Sequence, residues 1–393
     1  MEQSTLSDRK SAPRDAAGSL ELSPRQRFLN VMEYKPVDRV PNHEAGVWGQ
    51  TKDRWEAEGL DRRDLHWDWF TGEERFGMDP REFIPVHFDM MPWFETRVIE
   101  RTERYEVFVD QKGQTRKALL VGQSGGTRAS MDEFIDFPVK RHDDFKRMKE
   151  RYASHPSRYP AQWETFHLPG WKNRAHPLVL GRNCQMLGYY WRAREWLGTV
   201  DLCYAWYDEP EMMHDMMETV TDLTMRIAEP ILAKTDVDYV LLNEDLSMKS
   251  GPLLSPATFR EFIFPELKKL VAWFKARGVR YVAIDSDGNC EAVIPQFMEA
   301  GVDAIWPLER ASDMDPCALR AKFGRDLRLW GGVDKRELAK DKAAIDTHLA
   351  TLLPLIEEGG FIPTVDHTVP PDVSLENFEY YMKRKRDLLA GTF

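Results

Sequence analysis

The sequence predicts an α/β protein in the form of a (β/α)8 barrel. From about residue 141 onward, short apolar runs alternate with long amphipathic stretches. That alternation belongs to parallel strands joined by crossover helices. No GxGxxG or GxxxxGK[ST] motif follows any of the runs, which weakens the open, doubly wound, nucleotide-binding alternative. A length of 393 residues suits one large barrel as well as several smaller domains.

The elements follow in order. Residues 1–22 are polar and aperiodic and are expected to form a disordered tail. Ser23-Pro24 reads as a helix cap followed by proline in the first turn. Phe28, Val31 and Met32 give that helix an apolar face, and Lys35-Pro36 ends it. Arg39-Val40-Pro41 leads into a short strand near 39–44. Residues 51–103 read as irregular helix and loop, with a further strand within 83–99. Tyr105, Val107 and Val109 alternate ahead of Gln111-Lys112-Gly113, a β-hairpin signal over 104–127. The remaining strands are expected at 177–180, 238–242, 280–284, 303–306, 327–330 and 360–365. Helices are expected at 209–229, 256–277, 290–299, 315–323, 341–357 and 374–390. Met212, Met213, Met216 and Met217 have helical spacing and read as packing.

Composition narrows the function. Hydrophobic residues make up 42% and charged residues 30%, which supports a sizeable core under a solvated surface. A net charge of -11 without a basic stripe argues against nucleic-acid binding. No uncharged apolar run approaches the roughly 20 residues that span a bilayer. The opening MEQSTLSDRKSAPRDAAGSL has no apolar secretory segment. Cys184, Cys203, Cys290 and Cys317 form no CxxC pair, against a disulfide scaffold. A cytoplasmic enzyme with a small-molecule substrate is the expectation.

A barrel keeps its chemistry at the carboxyl ends of its strands. Asp285 and Asp287 stand two residues apart at one such end and should share a side. Two carboxylates so close either raise one pKa, giving a general acid, or share a cation. The competing reading makes Asp287 or Asn289 a cap for the helix near Cys290. His367 sits beside Asp366 at another strand end, before Thr-Val-Pro-Pro, which cannot be helical. Asp285, Asp287 and His367 are therefore the candidate catalytic set. Glu244, Asp285, Asp287 and Glu309 are candidate ligands for a divalent metal, zinc or another. Trp48, Asp89, Trp93, Tyr190, Arg192 and Trp306 are candidates to contact substrate, the tryptophans by lining an apolar pocket, as is Trp191.

These segments resemble the uroporphyrinogen decarboxylase superfamily. The resemblance begins at Arg25-Gln26-Arg27-Phe28-Leu29 and Pro36-Val37-Asp38-Arg39-Val40-Pro41. It continues through Tyr207-Asp208-Glu209-Pro210-Glu211-Met212-Met213-His214. It includes Gly251-Pro252-Leu253-Leu254-Ser255-Pro256 with Phe259 and Phe262, and Gly332-Val333-Asp334. It ends on His367-Thr368-Val369-Pro370-Pro371-Asp372-Val373-Ser374 with Glu376-Asn377. Covering about residues 23–390, it implies a distorted TIM barrel and a single domain over 23–393.

The superfamily holds two chemistries. True decarboxylases resemble one another in an arginine-bearing loop, RQAGRY, that clamps porphyrinogen carboxylates. The corresponding Glu44-Ala45-Gly46-Val47-Trp48-Gly49-Gln50-Thr51 has no arginine, and a multi-carboxylate clamp needs guanidinium forks. Asp89 falls near the family's catalytic aspartate. The methyltransferase branch carries a His-x-Cys zinc motif and a late cysteine. Here the equivalent segment is Asp285-Ser286-Asp287, and no cysteine follows Cys317, so the thiolate-preferring ligand set is replaced by carboxylates. The resemblance implies a methyltransferase-like enzyme acting on a small methylated or methoxylated compound, by methyl transfer or demethylation. A corrinoid protein, tetrahydrofolate or a thiol would accept the methyl group, and a corrinoid protein would then be a partner. A homodimer is left open. The alternatives are a decarboxylase or lyase acting on a non-porphyrin substrate, and a non-catalytic small-molecule binding protein.

Overall fold

The computed structural model describes residues 21–64, 70–121, 131–181 and 187–393. Residues 1–20 of the expected tail and 122–127 of the expected hairpin lie outside them. Leu22, read from sequence as the end of the tail, is buried, and its carbonyl accepts from the Arg27 guanidinium at 2.9 Å.

In chain order the strands begin with β1 (Glu82–Phe83), β2 (Arg97–Arg101), β3 (Tyr105–Val109), β4 (Thr115–Leu119) and β5 (Glu133–Asp136). Next come β6 (Leu178–Leu180), β7 (Tyr239–Asn243), β8 (Ser247–Met248), β9 (Gly251–Pro252) and β10 (Tyr281–Asp285). The last are β11 (Ala304–Trp306), β12 (Arg328–Trp330) and β13 (Phe361–Ile362). Seven of them form one curled parallel sheet in the order β1-β6-β7-β10-β11-β12-β13. Its central strands are buried along nearly their whole length, as parallel strands covered by helices must be. Strands β6, β7, β10, β11 and β12 lie within one residue of the expected bounds.

The strand expected near 39–44 does not form. Pro41 has no N–H to give to a ladder. Its neighbours bond irregularly instead: Asp79 N–H donates to Asn42 O, and Val369 N–H to Gly46 O. The Glu44 side chain, not its backbone, accepts from Val365 N–H at 2.8 Å. That carboxylate is fully buried, where it meets the Lys385 ammonium at 2.5 Å and the Tyr381 hydroxyl. It thereby ties this segment to the C-terminal helix Leu375–Leu389.

The strand expected within 83–99 divides. Glu82–Phe83 pairs with β6, whereas 97–101 joins the hairpin in a separate antiparallel sheet, β2-β3-β4-β5. Strands β2 and β5 are exposed along their length, so no buried alternation marked them. The helix expected over 341–357 breaks into Lys342–Ala350 and Leu353–Glu358, with Pro354 opening the second piece. That expected over 256–277 contains a π-helical turn at Phe259–Ile263. Helices His142–Lys149, Tyr189–Leu197 and Thr199–Asp208 were not foreseen. The four methionines of helix Pro210–Leu232 are buried packing residues. Among the described residues no helix is long and apolar enough to cross a membrane.

Phe28 of the first helix stands among the rings of Tyr239, Tyr281 and Trp330, with centroids 5.2, 6.1 and 5.9 Å away. Tyr281 therefore faces the inside of the curl, and alternation puts Ala283 and Asp285 on the same face. The register sets Asp285 opposite Asn243 on one side and Trp306 on the other. One inward layer at the carboxyl ends thus carries Asn243, Asp285 and Trp306.

Candidate active site at the carboxyl ends of the strands

Asp285 closes β10, and the Asn243 amide donates to it at 3.2 Å. Beyond it the chain turns at Gly288, whose φ is +74°. A Cβ there would lie 2.7 Å from Ser247 O and 2.8 Å from Met248 O, so the turn beneath β8 and β9 admits only glycine. That turn delivers Asp287 to His367, with Oδ2 and Nε2 3.3 Å apart. Asp287 does not cap the following helix, whose cap position is Cys290; Asn289, just before it, accepts from Glu291 N–H at 3.1 Å. Burial pushes the His367 pKa down, but the Asp287 carboxylate more than reverses this, leaving it above the ordinary histidine value. About a third of each side chain stays exposed, so a small molecule can reach the pair.

The other ring nitrogen, His367 Nδ1, lies 2.8 Å from the Thr368 hydroxyl, which accepts from the Trp48 indole at 2.7 Å. Glu309 lies nearby: its Oε2 accepts from Gly288 N–H at 2.9 Å and its Oε1 from Lys335 Nζ at 3.0 Å. Asp366 is fully buried and pushed up to about 6, with burial outweighing Lys335 and two backbone N–H donors. Asp245 pairs with Arg194 at 2.6 Å, and its carboxyl is raised first by burial and then by the charge of Asp287.

Glu244 is a correction to the sequence reading. It faces the N-terminus of helix Tyr189–Leu197, accepting from Tyr189 N–H at 3.0 Å and Tyr190 N–H at 2.8 Å. A carboxylate suits that helix end. Full burial nonetheless pushes it up to about 7, from an ordinary 4.5. Its contribution to stability is therefore complete below the ordinary value and lost as pH rises through about 7. Relative to Glu244→Gln, the wild-type chain should lose about 1–3 kcal/mol of stability between pH 5 and 8. Chemical denaturation across that range checks it; parallel pH profiles for the two chains would refute the assignment.

The expected metal set does not assemble either. Glu244 serves the helix end, and Glu309 is occupied by Lys335 and Gly288 N–H. Among the described residues, no three His, Cys, Asp or Glu side chains converge as a metal centre would need. The residues present do not fit a divalent ion held by these four carboxylates.

The candidate substrate contacts also scatter. Trp48 touches the site through Thr368. Trp306 faces the inner layer and donates to Thr364 Oγ1 at 3.2 Å. Trp93 packs edge-on against His87. Tyr190 is buried in helix Tyr189–Leu197. Asp89 and Arg192 bind each other at 2.9 Å in a buried cluster with Glu195 and Lys112. Burial would raise Asp89, but Arg192 and then Lys112 hold it at about 2. Beside this cluster a cavity of about 830 Å³ opens between the β2–β5 sheet and helix Tyr189–Leu197. Phe108, Phe134, Phe137 and Trp191 line it, and Arg194 reaches from it to Asp245. Asp245, Arg194, Lys335 and Thr368 were not singled out from sequence. Asp245 and Lys335 lie in the segments that follow β7 and β12, where nothing in the local sequence distinguishes them.

Residues 196–388 match the profile of the family described as uroporphyrinogen decarboxylase (URO-D). That match covers just under half of the chain and marks a likeness to the URO-D family. The chain's relatives include the uroporphyrinogen decarboxylase of Campylobacter concisus (strain 13826), 27% identical over 182 residues, covering 45% of this chain and 49% of the relative. That of Hyphomonas neptunium (strain ATCC 15444) is 24% identical over 199 residues, covering 50% and 56%. The chain spans about half the length of the curated relatives it matches. Among solved structures, a methyltransferase from Methanosarcina mazei superposes with a TM-score of 0.56 at 14% identity, covering 93% of this chain and 99% of that one. That likeness establishes a shared fold. The stretch 44–51 presents no guanidinium, and Glu44 turns into the buried pair with Lys385.

Proposed function

We propose that this URO-D-like chain is an enzyme that removes a methyl group from a small methylated or methoxylated organic molecule and passes it to an acceptor. The reading takes the curled sheet as a distorted (β/α)8 barrel with its mouth at Asp285, Asp287 and His367. The observation that carries it is the Asp287–His367 pair, a reachable proton carrier at the carboxyl ends of the strands. As the acceptor attacks the methyl carbon, the C–heteroatom bond breaks and the heteroatom keeps the electron pair. The pair supplies the proton that neutralises it. Asp285 and Asn243 fix the floor beneath, and the aromatic cavity beside Arg194 takes the carbon skeleton. The fold shared with the Methanosarcina mazei methyltransferase supports this branch. A corrinoid protein, tetrahydrofolate or a thiol would serve as acceptor.

Charge argues against the porphyrinogen reaction. Asp245, Asp285, Asp287 and Glu309 gather at this end, and the cations Arg194 and Lys335 are already paired with two of them. A substrate with several carboxylates meets like charge there. The purified chain given uroporphyrinogen should release no coproporphyrinogen; product at enzyme-like rates would reverse the choice of branch. The positive test is a panel of methylated amines, ethers and thioethers with each class of acceptor, in which methylated acceptor must form and must form far more slowly with Asp287→Asn.

A further inference from the structure

We propose that Thr368 and Trp48 are positioning residues that hold the His367 ring in one tautomer, with the proton on Nε2 facing Asp287. This rests on the reading of His367 as the working proton carrier.

The argument runs from donor to acceptor. An indole N–H can only donate. Trp48 Nε1 therefore donates to Thr368 Oγ1, 2.7 Å away, and occupies one of its lone pairs. The Thr368 side chain is nearly buried, so its own hydrogen needs an acceptor within the protein. Among the described residues the acceptor in reach is His367 Nδ1, at 2.8 Å. Nδ1 so engaged carries no proton, and the ring hydrogen goes to Nε2, 3.3 Å from Asp287 Oδ2. A ring protonated at Nδ1 would turn the threonine hydrogen away from its acceptor.

The relay is anchored at both ends. Trp48 and Thr368 are 320 residues apart in sequence, yet Trp48 N–H donates to Val369 O at 3.1 Å and Val47 bridges Val369. The pair that sets the tautomer is thus fixed to the same backbone that carries His367. Asp287 accepts on the Nε2 side of the ring, while Glu309 and Lys335 act on it by charge; none of the three supplies a hydrogen to Nδ1. Trp48, expected from sequence to line the pocket, acts here through Thr368.

The test is nitrogen NMR of the intact chain labelled in histidine, with the His367 signals assigned by His367→Gln, at a pH above the ring's titration. Wild type and Thr368→Ser should show the Nε2–H tautomer alone. Thr368→Val and Trp48→Phe should show a mixture. In turnover, Thr368→Val should lower kcat about tenfold with little change in KM, and Thr368→Ser should restore it. A single unchanged tautomer in Thr368→Val, or an Nδ1–H tautomer in wild type, would overturn the proposal. Because the spectra need no substrate, the expected tautomers with no methyl turnover would reject the functional reading alone.

Discussion

Replacing Asp287 by asparagine should lower turnover by ~10²–10⁴ while the chain stays folded, the loss expected when positioned proton transfer is removed. The substitution keeps shape and removes one charge. It does not disturb the following helix, because the cap position is Cys290 and the first helical N–H, that of Glu291, bonds Asn289. It does strip His367 of the carboxylate that holds its pKa up. Side chains about one third exposed contribute little to stability, so thermal unfolding should barely move. Kinetics and a melting curve on the same preparation separate the two effects. Unchanged kinetics would remove Asp287 from the mechanism.

The second large effect is on stability. Lys385→Met should cost about 3–5 kcal/mol, because it leaves the Glu44 carboxylate charged and buried without its cation. Both side chains are fully buried. Burial already pulls the Lys385 pKa down, against the pull of Glu44. The loss should be localised in origin: Glu44 joins 42–47 to Val365 and to the C-terminal helix, so the sheet loses its brace on that side. Replacing both partners with apolar residues should recover much of the loss, since an apolar pair pays no desolvation. Urea denaturation of the single and double variants measures both numbers. A single variant as stable as wild type would mean the pair is solvated.

Five strands of the parallel sheet were legible because they are short, apolar and buried on both faces, a signal carried by composition alone. The Asp285 and Asp287 placement was legible because period two persists to the end of β10. One strand earlier the same count also holds: with Asn243 facing inward, period two sends Glu244 outward to a helix end and returns Asp245 to the side where it comes under the charge of Asp287. The place of Glu244 after the strand suggests a ligand only where that count is left out. The pairing of Glu309 with Lys335, 26 residues later, and of Asp89 with Arg192, 103 residues later, depends on loop geometry that no local pattern encodes. The four-carboxylate metal set failed for the same reason. The strand near 39–44 was misread because Pro41 and the Glu44 side chain replace a regular ladder with scattered bonds. The antiparallel sheet was half legible: its hairpin alternates, but its outer strands are solvated and carry no burial pattern.

The central claim is that Asp287 and His367 share a working proton. The most direct test is the pH titration of the His367 ring by NMR, in the wild-type chain and in Asp287→Asn. The wild-type ring should titrate above the ordinary histidine value, and its titration should move down in the variant, as the raising charge is removed. A ring that titrates at or below the ordinary value and does not move with the substitution would contradict the pair.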